Sequence, residues 1–262
     1  MKAAYVGIDF LYPALPALAE SCEILKIFTC RTDNVTEFNT QVTAYARDHG
    51  VPLQTERVRL SDLEDLAAAG CELLLCAGYY YKLPILPGLP MVNIHPSLLP
   101  EGRGAWPMAV TILRGLTRSG VTLHKMAEGF DEGDILLQQA IAVDPEETHK
   151  SLTDKQRALL PGLVRDLCAD LPGLWAAARP QGAGDYWPCP TERDWTIGPD
   201  TDLETADKVL RAFYTYEVIY DDGADRWELI DGLLYDGPQP GMLAFPFRGK
   251  TICARRARRL ST

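Results

Sequence analysis

The chain has 262 residues, of which 47% are hydrophobic and 24% are charged, and its formal net charge at pH 7 is −10. This composition is typical of a folded globular protein, with one large domain or a main domain and a small appendage. No stretch approaches the roughly 18 to 20 apolar residues that a membrane span needs, which excludes a transmembrane helix of ordinary length.

The negative charge also disfavours nucleic acid as a partner, because neutralised phosphates supply most of the affinity in such complexes. The basic run "ARRARRL" near the C-terminus is interpreted as a solvated last strand and tail. Seven cysteines without a C-x-x-C pair indicate reduced thiols, and Cys71 and Cys76 are interpreted as small core residues. We therefore expect a cytoplasmic protein that binds neither nucleic acid nor membrane.

The first half of the chain alternates short apolar runs with helical patterns. Strands are predicted over "AAYVGID", "CEILKIFTC", "PLQTERV", "CELLLCAG" and "MVNIHPS". Helices are predicted over "YPALPALAES", over "NVTEFNTQVTAYARDHG" with Asn34 or Thr36 as its cap, and over "SDLEDLAAAG" with a capping box formed by Ser61 and Glu64. Apolar strands alternating with helices indicate a parallel sheet covered on both faces.

The second half begins with a helix over "AWPMAVTILRG" and two strands, "GVTLHKM" and "DILLQQAIAV". A long helical segment follows to about residue 178, and we expect it to be interrupted or split at Pro161 and Pro172. The segment "RPQGAGDYWPCPTERDW" is typical of a linker, and one more helix over "DLETADKVLRAFYT" precedes short strands. The predicted organisation is a main α/β domain over 1–180, a linker over 181–200 and a small α+β or β-rich domain over 201–262.

Two polar residues, Asn93 and His95, occur at the end of the apolar run "MVNIHPS". Residues i and i+2 of a strand point to the same face, so both side chains can reach one small volume. In an open α/β sheet, ligands bind outside the carboxyl ends of the strands. The loop that follows contains Pro96 and Pro100, which limit its freedom. The alternative is that both side chains only satisfy loop backbone groups.

A second polar group lies in "GVTLHKMAEGFDEGDILLQ", where an acidic, glycine-containing turn joins two strands and His124 ends the first of them. Asp131 and Asp134 lie in this turn. Turns favour Asp and Gly for local backbone reasons, so a solvated hairpin or a weak cation site also fits. The turn lacks calcium-loop spacing, and no His/Cys set has zinc spacing, so we expect no metal.

A site that combines Asn, His and a carboxylate is suited to acyl transfer to an amine. Attack on a carbonyl builds an oxyanion, which an Asn amide and a His N–H can stabilise. A carboxylate beside a His can relay the proton that the amine loses to the leaving nitrogen. There is no G-x-S-x-G sequence, and Ser97 is interpreted as a hydroxyl that shapes the loop rather than as a nucleophile.

The motifs "NIHPSLLP" and "GVTLHKMAEGFDEGDILLQ" resemble the hallmarks of the folate-dependent formyltransferases. That family includes glycinamide ribonucleotide transformylase, methionyl-tRNA formyltransferase and the sugar N-formyltransferases, and the resemblance covers roughly residues 1–180. It implies a Rossmann-like formyltransferase domain whose mostly parallel sheet is flanked by helices, with 10-formyltetrahydrofolate as co-substrate. By position, it implies that Asn93, His95 and Asp131 are the catalytic residues. His124 matches a strand-end residue often found in the sugar-modifying branch.

The resemblance also implies binding residues. The donor would contact the loop "GYYYKLP", the turn "MAEGF" and two residues along the formyl path; these residues are Tyr81, Lys82, Leu83, Ala127, Glu128, Gly129, Phe130, Ser97 and Leu99. The acceptor would enter beside "GIDFLYP", with Asp9, Phe10 and Arg103 as contacts.

The acceptor is expected to be a small-metabolite amine. Candidates are the amino group of a nucleotide-linked sugar and an amino-acid-derived, hydroxyornithine-like nitrogen in secondary metabolism. The alternatives are a 10-formyltetrahydrofolate hydrolase and a methionyl-tRNA formyltransferase-like enzyme. A dinucleotide-dependent oxidoreductase is disfavoured because "YVGIDFLYP" lacks G-x-G-x-x-G. The segment after about residue 202 could shape the acceptor pocket, form a homodimer or cap the sheet.

Overall fold

The computed structural model describes residues 1–32 and 38–260. Within them the chain forms two compact units. The first comprises Met1–Arg103, Gly120–Ala140 and Lys155–Asp185, and the second comprises Gly104–Ser119, Ile141–Asp154 and the chain from Tyr186 onward. No helix in the described residues is long and apolar enough to cross a membrane.

The first unit is built on a seven-stranded sheet in the order β3-β2-β1-β4-β5-β6-β7. Its strands are β1 (Lys2–Gly7), β2 (Glu23–Phe28), β3 (Leu53–Gln54), β4 (Leu73–Ala77), β5 (Met91–His95), β6 (Arg118–Lys125) and β7 (Ile135–Ala142). The neighbours from β3 to β5 pair in parallel, whereas β5 and β6 are antiparallel. The predicted mostly parallel sheet is confirmed.

Helices pack on both faces of this sheet. Counting both units, the α-helices of the described residues are α1 (Ala14–Ser21), α2 (Thr40–Asp48), α3 (Leu60–Ala68), α4 (Pro107–Leu113), α5 (His149–Ala169), α6 (Leu171–Ala176) and α7 (Leu203–Ala212). In β1, Ala3 and Tyr5 pack in one core with residues of α1, α2 and α5, while Ala4 and Val6 pack in a second core with residues of α3. Because successive strand residues face opposite sides, a strand covered on both faces is apolar throughout.

Two local predictions need correction. The helix α3 begins at Leu60, and the Asp62 carboxylate accepts the backbone N–H of Arg59 at 2.8 Å. The predicted capping box of Ser61 and Glu64 is therefore wrong, because the helix begins before Ser61. The proposed caps of α2, Asn34 and Thr36, lie outside the described residues.

Of the two helix breaks predicted at prolines, one is present in the structure. The split at Pro172 is confirmed, since α5 ends at Ala169 and Asp170 accepts the N–H of Gly173 at the start of α6. Pro161, in contrast, lies inside α5. The flanking residues Leu160 and Val164 are buried in the core, and this packing offsets the loss of one helical hydrogen bond.

The second unit contains two small sheets besides α4 and α7. One has the order β14-β10-β9-β8, and the other has the order β11-β13-β12. The strands are β8 (Thr196–Ile197), β9 (Glu217–Asp221), β10 (Arg226–Ile230), β11 (Leu233–Tyr235), β12 (Leu243–Phe247), β13 (Lys250–Ala254) and β14 (Arg256–Arg259). These strands confirm the predicted β-rich C-terminal part.

An aromatic cluster in the second unit buries His149. Its ring lies 5.0 Å from that of Tyr216 and 6.3 Å from that of Trp106, measured between centroids. Burial disfavours the charged imidazolium and lowers the pKa of His149 from 6.5 to about 4.

This burial predicts a pH-dependent stability. Between pH 6.5 and about 4 the unfolded chain binds a proton that the folded chain does not, so stability falls as the pH is lowered through this window. The full loss in the free energy of unfolding across this window is roughly 3 kcal/mol. The free energy of unfolding, measured by urea denaturation at a series of pH values, should depend less steeply on pH in His149→Phe, which keeps a ring. His49→Gln, at an exposed position, serves as the control. A free energy of unfolding that depends on pH as steeply in His149→Phe as in the wild type would contradict the prediction.

Candidate active site

Polar side chains of the first unit meet at the carboxyl end of β5. Asn93 and His95 leave the same face of that strand, and Asp131 reaches them from the segment between β6 and β7. The Nδ2 atom of Asn93 lies 3.3 Å from Oδ1 of Asp131, and Nδ1 of His95 lies 3.5 Å from the same oxygen. Two of the residues predicted to be catalytic, Asn93 and His95, thus each lie within contact distance of the third, Asp131.

A fourth residue, His124, completes the group. It stands directly opposite Asn93 in the antiparallel β5–β6 pair, and its Nε2 lies 3.1 Å from Asn93 Nδ2 and 3.5 Å from Asp131 Oδ1. The sequence marked His124 only as a strand-end residue. Its contact with Asn93 depends on the register of β6 on β5, which could have been found only by predicting that pairing.

The partners of His124 and Asn93 define where their hydrogens lie. His124 Nδ1 is 2.8 Å from the Lys125 carbonyl, which can only accept, so Nδ1 carries the hydrogen and Nε2 accepts from Asn93. The two hydrogens of the Asn93 amide then point to His124 and Asp131. The arrangement orients the Asn93 amide with its donors toward the site.

His95 and Asp131 are arranged to share a proton. His95 Nε2 donates to the Gly102 carbonyl at 2.7 Å, which leaves Nδ1 facing the Asp131 carboxylate. A proton taken up at this point has two acceptors, Nδ1 of His95 and the carboxylate oxygen of Asp131, and can move between them. Burial lowers the pKa of His95, while Asp131 and the bond to Gly102 oppose that shift. Such a pair can take up and return one proton.

Buried polar groups fix the loop after His95. Thr122 Oγ1 donates to the Ser97 carbonyl at 2.7 Å and accepts from the Leu99 N–H at 3.2 Å. Gln138 Nε2 donates to the Leu99 carbonyl at 2.8 Å, and Ser97 Oγ donates to the Glu101 carbonyl at 2.8 Å. The hydroxyl of Ser97 therefore shapes the loop.

The two loops predicted to bind the donor approach each other. Lys82 Nζ lies 3.6 Å from Glu128 Oε2 and 5.8 Å from the ring centroid of Phe130. The Tyr81 ring stacks under the Arg57 guanidinium, 4.0 Å away. Phe130 as a residue is 59% exposed, which leaves an apolar ring surface open to a ligand.

The remaining residues of these loops contribute backbone or packing. Leu83 and Leu99 are buried, Ala127 is half-buried, and Gly129 lies so close to the Glu132 side chain that a Cβ would be 2.0 Å from its carboxylate oxygen.

The positions predicted to contact the acceptor have varied environments. Phe10 packs on the core beside Gly78, at the end of β4. Arg103 donates to the Gln181 side chain at 2.9 Å and to the Gly182 carbonyl at 3.2 Å. Asp9 is buried, and its two carboxylate oxygens accept the N–H groups of Gln41 and Val42 at 2.9 and 3.0 Å. Asp9 thus holds the first turn of α2.

The bonds of Asp9 predict a stability effect. Removing a charged acceptor from two backbone N–H groups should lower the free energy of unfolding by about 2 kcal/mol in Asp9→Ala. Urea unfolding measures this, with Asp48→Ala near the other end of α2 as the matched control, because Asp48 is exposed. An unchanged stability together with a raised KM for the amine would instead support the acceptor contact.

Similarity to known proteins was found over most of the chain. The family model described as Formyl transferase matches residues 31–163. A methionyl-tRNA formyltransferase of Roseobacter denitrificans (strain ATCC 33942 / OCh 114) is 31% identical over 223 residues, covering 80% of this chain and 73% of the relative. That of Ehrlichia ruminantium (strain Gardel) is 28% identical over 192 residues, covering 70% of this chain but only 62% of the relative. The chain therefore spans less than two thirds of the latter protein's length.

A solved structure shares the fold. WlaRD, a sugar 3N-formyl transferase whose structure was obtained in the presence of dTDP and 5-N-formyl-THF, aligns with a TM-score of 0.68 at 16% identity. The alignment covers 100% of this chain and 98% of that one. Among the described residues, no group of three or more His, Cys, Asp or Glu side chains could hold a metal ion.

Proposed function

The chain belongs to the folate-dependent formyltransferase family, and we propose that it transfers the formyl group of 10-formyltetrahydrofolate to the amine of a small metabolite. The observation that carries this proposal is the convergence of Asn93, His95 and Asp131 within 3.5 Å at the end of β5. An amide donor, an imidazole and a carboxylate in one small volume supply the two requirements of formyl transfer, which are oxyanion stabilisation and proton movement.

The residues around the site fit a folate as donor. The exposed rings of Phe130 and Tyr80 offer apolar surface on two loops that approach each other at Lys82 and Glu128. A flat, partly apolar ring system is suited to such surfaces. A neighbour of the same fold supports this donor, since the structure of WlaRD was obtained in the presence of 5-N-formyl-THF.

In the proposed mechanism, 10-formyltetrahydrofolate supplies the formyl group, and its departing nitrogen must gain a proton. The Asn93 amide exchanges its 3.3 Å bond to Asp131 for one to the formyl oxygen, where negative charge develops as the amine attacks. Asp131 accepts the proton that the amine loses. The neighbouring Nδ1 of His95 can take that proton from Asp131 and return it toward the leaving nitrogen, so no proton is gained or lost in the cycle.

Charge favours a small acceptor over transfer RNA. The net charge is −10, and in the basic run Arg258 pairs with Glu228 at 2.5 Å while Arg259 pairs with Asp225. Arginines neutralised by the chain's own acids contribute little to phosphate binding. The methionyl-tRNA formyltransferases among the relatives make transfer RNA the alternative to be tested.

A panel of acceptors tests this proposal. The purified protein is incubated with 10-formyltetrahydrofolate and, in turn, nucleotide-linked amino sugars, hydroxyornithine, glycinamide ribonucleotide, methionyl-tRNA or no amine. Loss of the folate formyl group and the formylated product are followed by mass spectrometry. We expect formylation of one of the small amines. Formylation of methionyl-tRNA alone would overturn the small acceptor, and formate release without any amine would indicate the hydrolase.

A further inference from the structure

Gln181 makes an unusual set of contacts with the turn that carries Asp131. Its Nε2 donates to the Asp131 carbonyl at 2.8 Å and to the Gly133 carbonyl at 2.6 Å. A carboxamide nitrogen has two hydrogens, and both are used here. Gln181 follows α6, 50 residues from Asp131 along the chain, so these bonds join two distant segments of the first unit.

The other end of the same side chain is held by Arg103. The guanidinium donates to Gln181 Oε1 through Nε at 3.1 Å and through Nη2 at 2.9 Å. A guanidinium can only donate and a carbonyl can only accept, so the orientation of the Gln181 amide is determined by its partners on both sides. Arg103 therefore holds the Gln181 amide, and the Gln181 amide in turn binds the backbone of the turn.

The turn needs such support. Asp131 has a φ angle of 56°, a left-handed conformation that residues other than glycine adopt at a cost of order 1 kcal/mol. Gly133 is packed against the backbone of Lys125, whose carbonyl oxygen would lie 1.8 Å from an added Cβ. The carboxylate of Asp131 is useful only where it meets His95 and Asn93, and the backbone conformation of the turn decides that position.

We infer that Gln181, oriented by Arg103, is a positioning residue that holds Asp131 against His95 and Asn93. This inference rests on the proposed formyl transfer, because it assigns Asp131 a role in that reaction. It gives Arg103 a task inside the protein rather than at the acceptor. Gln181 acts through the backbone of the turn and does not itself touch the substrates.

The test compares Gln181→Met, which keeps length and neutrality but removes both donors, with Gln239→Met. Gln239 is the matched control, because its Nε2 donates to the Gly237 carbonyl at 3.1 Å in the second unit. With 10-formyltetrahydrofolate and a nucleotide-linked amino sugar as the probe amine, kcat should fall about tenfold or more in Gln181→Met while both KM values stay within about twofold. A kcat within about twofold of the wild type would overturn the inference.

A double-variant cycle tests the link to Arg103. If Arg103 acts only through Gln181, then Arg103→Met lowers kcat, and adding it to Gln181→Met lowers kcat no further. If the two effects multiply, or if Arg103→Met raises the KM of the amine alone, the link is overturned.

A readout that needs no turnover separates this inference from the proposed function. The pKa of His95 can be followed by NMR, since the chain has four histidines. Asp131 raises that pKa, whereas burial and His124 lower it, so displacing Asp131 should lower it further in Gln181→Met and leave it unchanged in Gln239→Met. An unchanged His95 pKa in Gln181→Met would overturn the positioning role. If the wild type formylates no amine, the proposed function fails, and the His95 titration still tests the position of Asp131.

Discussion

Asp131→Asn is expected to lower kcat by at least about two orders of magnitude with the productive amine acceptor. Asparagine has the same shape but cannot accept the proton that the attacking amine loses. In the structure Asp131 is the carboxylate that meets Asn93, His95 and His124, each within 3.5 Å of its Oδ1. Steady-state kinetics with 10-formyltetrahydrofolate measure the change, and both KM values should remain close to those of the wild type.

The same turn provides a matched control for this variant. Asp134 lies three residues further on, and its carboxylate is 3.3 Å from Lys125 Nζ in a partly exposed ion pair. Asp134→Asn makes the same chemical change outside the group of polar side chains, so kcat should stay within about twofold of the wild type. Near-native rates in Asp131→Asn would remove Asp131 from the mechanism. Equal losses in both variants would mean that the turn as a whole had been disturbed.

His95→Gln is expected to lower kcat by about two orders of magnitude as well. The glutamine amide can still donate to the Gly102 carbonyl, which the Nε2 of His95 contacts at 2.7 Å, so the buried acceptor keeps a partner. It cannot take up a proton beside Asp131. The substitution therefore removes the relay while it retains the hydrogen bond, and thermal unfolding should change little. A kcat close to that of the wild type would show that the proton moves by another route.

The pH profile of the wild type tests the same assignment. Burial lowers the pKa of His95 below its ordinary value of 6.5, with Asp131 opposing the shift. A relay that must accept a proton works only when the pair has not yet taken one up, so activity falls as the pH drops through the pKa of the pair. We expect the acidic limb of kcat/KM to lie below pH 6.5 and to change position in His95→Gln, because the pair is then broken. An acidic limb above that value would contradict the assignment.

The sheet was predictable because its signal is local. In β1, Ala3 to Val6 are buried on both faces, and a strand covered on both sides must be apolar at every position. The predicted capping box of α3 was wrong for the opposite reason, because its signal is not local. Asp62 and Ser61 both suit a helix start, and only the packed helix shows which residue is used. Pro161 likewise lies inside α5, because the burial of its neighbours offsets the loss of one helical hydrogen bond. The residue pattern alone does not show that this packing is available.

For the site, the sequence by itself placed Asn93 and His95 on one face of a strand, because side-chain alternation is a property of the backbone. The turn of Asp131 came from resemblance to a family motif. Only the tertiary structure brought His124 opposite Asn93, Gln181 onto the turn and Asp9 onto α2. These contacts join residues 31 to 50 positions apart, and strand register and chain packing, rather than local preference, decide which distant polar groups meet.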